Sequence, residues 1–318
     1  MFQQPPAVPV NSSRLALRQL NSAWLDEVFA MVGYEPFQEL TGTTKKFTKD
    51  EIAAWLASRP TQTDRCDWAI LDVDSGEFAG EVVLNEFNAE KQTMNLRICL
   101  ASDVWVNRGI GTEAMNLVLE YAFDGLQLAK VTLSVLIENA RAIRAYEKLG
   151  FAPGREYSEG KRRYLRMSVN KLQFIQAMCE REMARLLPAH WSFTFDSGKR
   201  RAGLCNYTER KISLSRHLVM LHDVDQAKQV LWHEVAHALS GKNEGHGKKW
   251  LATAKSLGYR AEKFTGTTIA ENTAPWVGVC PNGHLHYRYR KPTRLFSCAK
   301  CSRGFSKSAL ITWRMKEQ

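Results

Sequence analysis

Hydrophobic and polar positions change period several times along this 318-residue chain. Leu15-Ala-Leu-Arg-Gln-Leu20 reads as a strand, and from Ser22 onward Leu25, Val28, Phe29 and Val32 share one face of a helix that Gly33 closes. A second helix, from Asp50 to about Ser58, stops before Pro60, whose ring cannot continue it. Strand runs follow at 67–73, 78–87 and 94–100, the first two separated by the turn Asp74-Ser75-Gly76. Then come a helix at 115–123, a strand at 130–136, a helix at 140–150 and a closing strand at 164–169. This succession predicts an α/β domain over residues 1–169. From Asn170 helices dominate: an amphipathic run at 171–187, strands at 191–196 and 211–215, and a helix at about 225–240 closed by Gly241. A further helix around 246–257 ends at Gly258. The final segment is turn-rich, so a mainly helical domain is expected over 170–268 and a small stapled module over 269–318.

Composition narrows the partners. A 44% hydrophobic, 24% charged chain excludes wholesale disorder. No apolar run approaches the ~18 residues that span a bilayer, so no membrane partner is expected. The opening MFQQPPAVPV lacks both a basic region and an apolar core, which makes a secretory signal unexpected and a cytoplasmic, even nucleoid-associated, location the expectation. Seven cysteines then read as reduced thiols or metal ligands. The net charge of +11 is uneven: residues 1–168 hold 19 basic and 22 acidic side chains, and the remainder holds 25 and 11. All eight histidines lie from His190 onward. Two chemically different modules are implied, the second facing a polyanion.

In the first module Arg108-Gly109-Ile110-Gly111-Thr112 joins a strand to a helix. Glycines let backbone N–H groups approach a pyrophosphate, and the helix N-terminus favours negative charge. GIGTEAMNLVLEYAF together with ENARAIRAYEKLGF resembles the GNAT acetyltransferase superfamily, in particular its RimL/RimJ-like branch, over residues 14–168. The resemblance implies a mixed central sheet flanked by helices, acetyl-CoA along 106–112 with its pyrophosphate on the N–H groups of Arg108, Gly109, Ile110, Gly111 and Thr112, and Asn139 as a further cofactor contact. It implies Tyr146 as the acid that protonates the departing thiolate. The strand at 94–100 lacks the Glu that often orients a base in this family, leaving Glu81 or a water. The unknown amine acceptor would meet the substrate loops 34–49 and 153–162, which carry no readable signature.

The second module carries Leu231-Trp-His233-Glu234-Val-Ala-His237. Residues i and i+4 of a helix share a face, so His233 and His237 can present two imidazoles to one Zn²⁺, with Glu234 placed to take a proton from water that the ion activates. His246, flanked by Gly245 and Gly247, is the third-ligand candidate, with His217 and His222 as competitors. GLCNYTERKISLSRHLV, VLWHEVAHALSG and GHGKKW look like SprT-like (Spartan-type) zinc metalloproteases, a zincin-like family, over about 172–264. That resemblance implies zinc on His233, His237 and His246, Glu234 as general base, and a DNA-associated protein, of the DNA–protein crosslink kind, as peptide substrate. Cys205 reads as a buried small hydrophobe.

In the tail, Cys280-Pro-Asn-Gly-His284-Leu-His286 and Cys298-Ala-Lys-Cys301 have zinc-ribbon spacing. The second ligand is His284 or His286, His284 closing the tighter knuckle around Gly283; a structural Zn²⁺ would then sit on Cys280, His284, Cys298 and Cys301. Residues 285–318 hold nine basic and one acidic side chain, interleaved with Tyr287, Tyr289, Phe296 and Trp313. That mixture suits DNA, single-stranded or structured, by phosphate contact and base stacking. The expectation is a bifunctional chain, an acetyl-CoA-dependent N-acetyltransferase fused to an HExxH peptidase. The competing reading is an acetyltransferase targeted by a non-catalytic zinc- and nucleic-acid-binding module.

Overall fold

The computed structural model describes residues 10–36, 45–199, 201–261, 270, 271 and 273–316. Residues 1–9 lie outside them, as do 37–44 of the first acceptor segment. The chain forms two compact units, Met1–Arg181 and Glu182–Gln318.

The first unit is built on an eight-stranded sheet in the order β1-β2-β3-β4-β5-β6-β8-β7. The strands are β1 (Val10–Asn11), β2 (Leu15–Gln19), β3 (Cys66–Asp72), β4 (Phe78–Asn88), β5 (Thr93–Leu100), β6 (Lys130–Leu136), β7 (Ala152–Glu159) and β8 (Arg162–Val169). All neighbours run antiparallel except β5 and β6, which are parallel and pair only at Thr93–Asn95 with Lys130–Thr132. Beyond Asn95 the two strands diverge and open a gap in the sheet.

Helices α1 (Leu25–Gly33) and α2 (Lys49–Ser58) cover one face. Their Val28, Met31, Ile52 and Leu56 pack with Leu20, Ala69 and Phe78. Phe29, expected on the buried side of α1, is 38% exposed; Met31 takes the inward place. Gly33 is the last helical residue rather than the cap, a position held by extended Tyr34. Thr48 and Glu51 start α2 with reciprocal side-chain-to-backbone bonds. On the opposite face lies α3 (Ile110–Glu120), whose Gly111 sits against Ile98 and Leu100 of β5. After α4 (Ala140–Glu147), segment 153–162 is not a loop but the β7–β8 hairpin, with Tyr157 stacked on Tyr164. Helix α5 (Lys171–Leu186) starts in the first unit, where Phe174 packs on Phe123 and Lys171 pairs with Asp124 at 2.8 Å.

In the second unit β9 (Ser192–Asp196), β10 (Gly203–Asn206) and β11 (Lys211–Ser215) form a sheet in the order β10-β11-β9. The β11–β9 pair is parallel and the β10–β11 pair is a hairpin. Helices α6 (Arg216–Leu221), α7 (Val224–Ser240) and α8 (Lys248–Ser256) complete the expected helical part. Asp223 caps α7 by accepting the Gln226 N–H at 2.8 Å, and Gly241 at φ 96° ends it. A third sheet, β13-β12-β14, comprises β12 (Trp276–Val279), β13 (Leu285–Arg288) and β14 (Thr312–Met315).

Candidate functional site

The gap between β5 and β6 is the mouth of a cleft of about 580 Å³. Gly109, Ile110, Gly111 and Thr112 line it, as do Asn139 and Tyr146. Gly109 adopts φ 80°, a left-handed turn that a side chain would strain, and so sends the chain into α3. The N–H groups of Ile110, Gly111 and Thr112 open that helix and have no intrahelical acceptor. Arg108 is absent from the lining: its carbonyl accepts from Arg14 at 3.4 Å, and its guanidinium lies 5.2 Å over the Trp105 ring. Asn139 accepts the Ala142 N–H at 3.1 Å, capping the helix that carries Tyr146. Burial, then the nearby Cys99, pushes the Tyr146 phenol up to about 12, so it holds its proton at neutral pH.

The cleft also holds groups of the opposite face. Glu81 pairs with Ala69 on β3 and with Cys99 on β5, both of which belong to the core beneath α1 and α2. Tyr34, at the end of α1, donates to Asp103 at 2.6 Å, and both line the cleft. The cavity therefore crosses the sheet, from the glycine turn on the α3 side to acidic groups on the α1–α2 side.

In the second unit, HExxH on α7 and His246 before α8 bring three imidazoles together. The Nε2 atoms of His233, His237 and His246 stand 3.1, 3.2 and 3.1 Å apart. Each Nε2 carries at most one proton or one lone pair. A near-equilateral triangle of three such atoms cannot be satisfied by hydrogen bonds alone. A tetrahedral ion at the ~2.0–2.1 Å Zn–N distance holds its ligand nitrogens about 3.4 Å apart, so the donor set fits zinc. His217 and His222 do not join the triangle.

The positioning groups around the triangle come from three elements. Trp250 of α8 packs its ring 4.9, 5.5 and 4.6 Å from the His233, His237 and His246 rings, and its indole N–H donates to the His233 carbonyl at 3.4 Å. Tyr207, just after β10, donates to the His237 carbonyl at 3.0 Å. Glu234 is buried, and its side chain passes over Gly203, where a Cβ would stand 2.8 Å from Cγ and Oε1. Cys205 is half-buried rather than fully buried; desolvation, then the Glu234 charge, pushes its thiol up to about 12. The glycines flanking His246 serve its turn: Gly245 takes φ 57°, and Gly247 leaves room for Glu244, which accepts the Lys249 N–H at the start of α8.

The tail gathers Cys280, His284, Cys298 and Cys301. His284 Nδ1 lies 3.5, 3.6 and 3.2 Å from the three sulfurs, and Cys280 Sγ lies 3.7 Å from Cys301 Sγ. Tetrahedral zinc with sulfur at ~2.3 Å separates such ligands by about 3.5–3.8 Å, so these donors fit as well. Two turns shape the knuckles, Gly283 N–H to Cys280 carbonyl at 2.9 Å and Cys301 N–H to Cys298 carbonyl at 3.1 Å. His286 points away, on β13 opposite Gly278. Among the described residues the buried cluster at this centre is Cys280, Cys298 and Ala309, with Cys301 and Ile311 partly buried against it, a small apolar surface for a fold to rest on.

Four aromatic rings of this module already face cations. The Arg288 guanidinium lies 4.1 Å over Phe296 and 6.0 Å from Trp313, with Arg294 5.2 Å from Phe296. Lys316 sits over Tyr287 and Lys199 over Tyr289. Base stacking on these four rings, expected from the interleaving, would require displacing those cations; Arg290, Lys291 and Lys300 remain exposed for phosphate contact.

A sheet split over a glycine-opened helix and an HExxH helix completed by a third histidine define two enzyme-type domains in one chain. The acetyltransferase (GNAT) domain model matches residues 14–152 and the SprT-like family model matches residues 171–271. The chain thus joins a GNAT acetyltransferase domain to a SprT-like domain.

It is similar to the spermidine N(1)-acetyltransferase of Escherichia coli (strain K12), 33% identical over 119 residues, 37% of this chain and 56% of the relative. It is also similar to an N-acetyltransferase 9-like protein of Caenorhabditis briggsae, 26% identical over 127 residues, 37% and 64% of the two chains. The matches span a little over half the length of these curated relatives. A solved spermidine N-acetyltransferase from Vibrio cholerae, in complex with CoA and spermine, aligns with TM-score 0.47 and 20% identity over 52% of this chain and 99% of that one. No helix of the described residues is long and apolar enough to cross a membrane.

Proposed function

We propose that the chain is bifunctional, an acetyl-CoA-dependent N-acetyltransferase in its first unit and a zinc-dependent peptidase acting on DNA-associated protein in its second. The observation that carries the peptidase is the convergence of three imidazole nitrogens beside a buried Glu234. His233, His237 and His246 would hold the ion. Zinc, when bound, supplies a Lewis acid that polarises the scissile carbonyl and makes water acidic. Glu234 takes the proton and passes it to the departing amine. Trp250 and Tyr207 fix the α7 carbonyls and so hold the imidazoles in register. Cys280, His284, Cys298 and Cys301 would hold a second, structural zinc, and the exposed basic residues around them would bring the peptidase to DNA.

In the acetyltransferase, the N–H groups of Gly109 to Thr112 receive the pyrophosphate of acetyl-CoA. Asn139 positions α4, and Tyr146 protonates the leaving thiolate. The acidic lining on the α1–α2 side and the spermidine acetyltransferases among the relatives support a cationic amine as acceptor. The test is Glu234→Gln in the full chain: DNA-stimulated casein cleavage should disappear while bound zinc stays, and surviving cleavage would overturn the peptidase assignment. For the first unit, calorimetry with acetyl-CoA should show binding competed by CoA; no heat would overturn the acetyltransferase assignment.

A further inference from the structure

Resting on the acetyltransferase reading, we propose that Arg14 is a positioning residue for the pyrophosphate of the acetyl donor. From outside the cleft it braces the glycine turn and cancels a carboxylate that opposes the incoming anion. Three observations carry it.

First, the turn is one that has to be held. Asn107 takes φ 61° and Gly109 φ 80°, so Arg108 stands between two left-handed residues, one of which carries a side chain. Such backbone persists where its surroundings over-determine it. Arg108 is pinned from two sides. Its guanidinium lies over the Trp105 ring, and its carbonyl accepts from Arg14 Nη1 at 3.4 Å. A Cβ at Gly109 would stand 3.6 Å from Arg14 Nη2, so the guanidinium packs directly against the turn.

Second, α3 carries an acid where an anion has to arrive. Glu113 lies in the first turn of the helix, and its N–H donates to the Gly109 carbonyl at 3.0 Å. A carboxylate there favours the helix, whose N-terminus is positive, but repels a pyrophosphate received on the same N–H groups. Third, Arg14 answers that charge. Its Nε donates to Glu113 Oε2 at 2.9 Å and its Nη2 donates to the same oxygen, while the Ser12 hydroxyl donates to Oε1. Ser12 Oγ in turn accepts the Leu15 N–H at 2.9 Å, which ties the turn between β1 and β2 to the start of α3. None of Ser12, Arg14 and Glu113 lines the cleft; Arg14 acts through Arg108, Gly109 and Glu113. Its side chain is 53% exposed, so the ion pair adds little to stability and its effect is read in ligand binding.

The test is the calorimetric affinity of the full chain and its variants for CoA. A unit charge left uncancelled beside a bound phosphate weakens binding by about 10- to 50-fold at an effective dielectric of ~20–40. Arg14→Met should therefore lose about that factor at ~0.05 M salt, and clearly less at ~0.5 M, where screening hides the orphaned carboxylate. Arg14→Met/Glu113→Gln should recover at least about fivefold of the loss, because the opposing charge is gone. Glu113→Gln alone should bind CoA as tightly as the unmodified chain, or more tightly. Arg14→Lys, which keeps the charge without the fork, should lose less than Arg14→Met. A double variant no better than Arg14→Met, a loss that salt does not reduce, or an Arg14→Met chain that binds CoA normally would overturn the proposal. Those outcomes leave the acetyltransferase reading intact. Absence of CoA binding by the unmodified chain would take down both.

Discussion

Gly203→Ala is the sharpest perturbation of the peptidase centre, because it touches no ligand and introduces no charge. Gly203 is the first residue of β10, and a Cβ there would meet Glu234 Cγ and Oε1 at 2.8 Å and Val230 Cγ1 at 2.9 Å. Carbon atoms settle at about 3.5–4.0 Å, so roughly 0.7 Å must be found. Val230 is 1% exposed in the middle of α7 and has no room to give. The carboxylate end of Glu234 is the softer partner and would move. Overpacking of this kind costs about 1–3 kcal/mol of stability. A displacement approaching ~1 Å in a catalytic group costs on the order of 10²-fold in rate. We therefore expect cleavage of a fluorescent casein substrate to fall 10- to 100-fold, with zinc content and the acetyl-transfer rate of the other unit unchanged. A folded, zinc-replete Gly203→Ala chain with undiminished cleavage would refute the assignment of Glu234 in this pose as the base.

Three further outcomes follow from the same geometry. Glu81 binds its proton up to about pH 7 when folded, against about 4.5 in the unfolded chain, so its contribution to stability is full below pH 4.5 and is lost as pH rises through 7. That is about 3 kcal/mol, and Glu81→Gln should flatten this part of the pH dependence in chemical denaturation; identical pH slopes would contradict it. Replacing exposed Arg290, Lys291 and Lys300 by Ala should reduce the salt slope of single-stranded DNA binding by about 2, at roughly 0.7 per phosphate contact, and an unchanged slope would place the contact elsewhere. Trp250→Leu removes the ring that packs all three imidazoles and the bond to the His233 carbonyl, so zinc affinity should drop about 10- to 100-fold in chelator competition.

Much of this was legible before any coordinates. Strands 130–136 and 211–215 appear at the expected residues because both are bounded by clear turn chemistry and carry β-branched alternation. The HExxH spacing has a geometric meaning on any helix, so the pairing of His233 with His237 needed only the 3.6-residue period. What escaped was set by contacts distant in sequence. The hairpin partner β10 is a four-residue strand rich in Gly, Cys and Asn, with no period to detect, yet it carries the glycine under Glu234 and leads to Tyr207. Segment 153–162 looked like a loop because Pro153, Gly154 and Gly160 are turn residues, but it is held as a strand by pairing with β8. Arg108 was named through the resemblance for its backbone N–H alone, and its side chain, for which the sequence offered no direction, leaves the cleft to stack on Trp105. Glu81 was already named as a candidate base, whereas Trp250 carried no motif; an indole in a helix facing a histidine pair was the available signal.

The central claim, two enzymes on one chain with the second built on two metal centres, is tested most directly by counting zinc in the purified full chain and two variants. The account predicts two zinc ions per chain, one in His233→Ala/His237→Ala with the cysteine centre still filled, and one in Cys298→Ser/Cys301→Ser with the histidine centre still filled. A full chain that holds one zinc or none, or variants whose losses do not map to the substituted cluster, would contradict it.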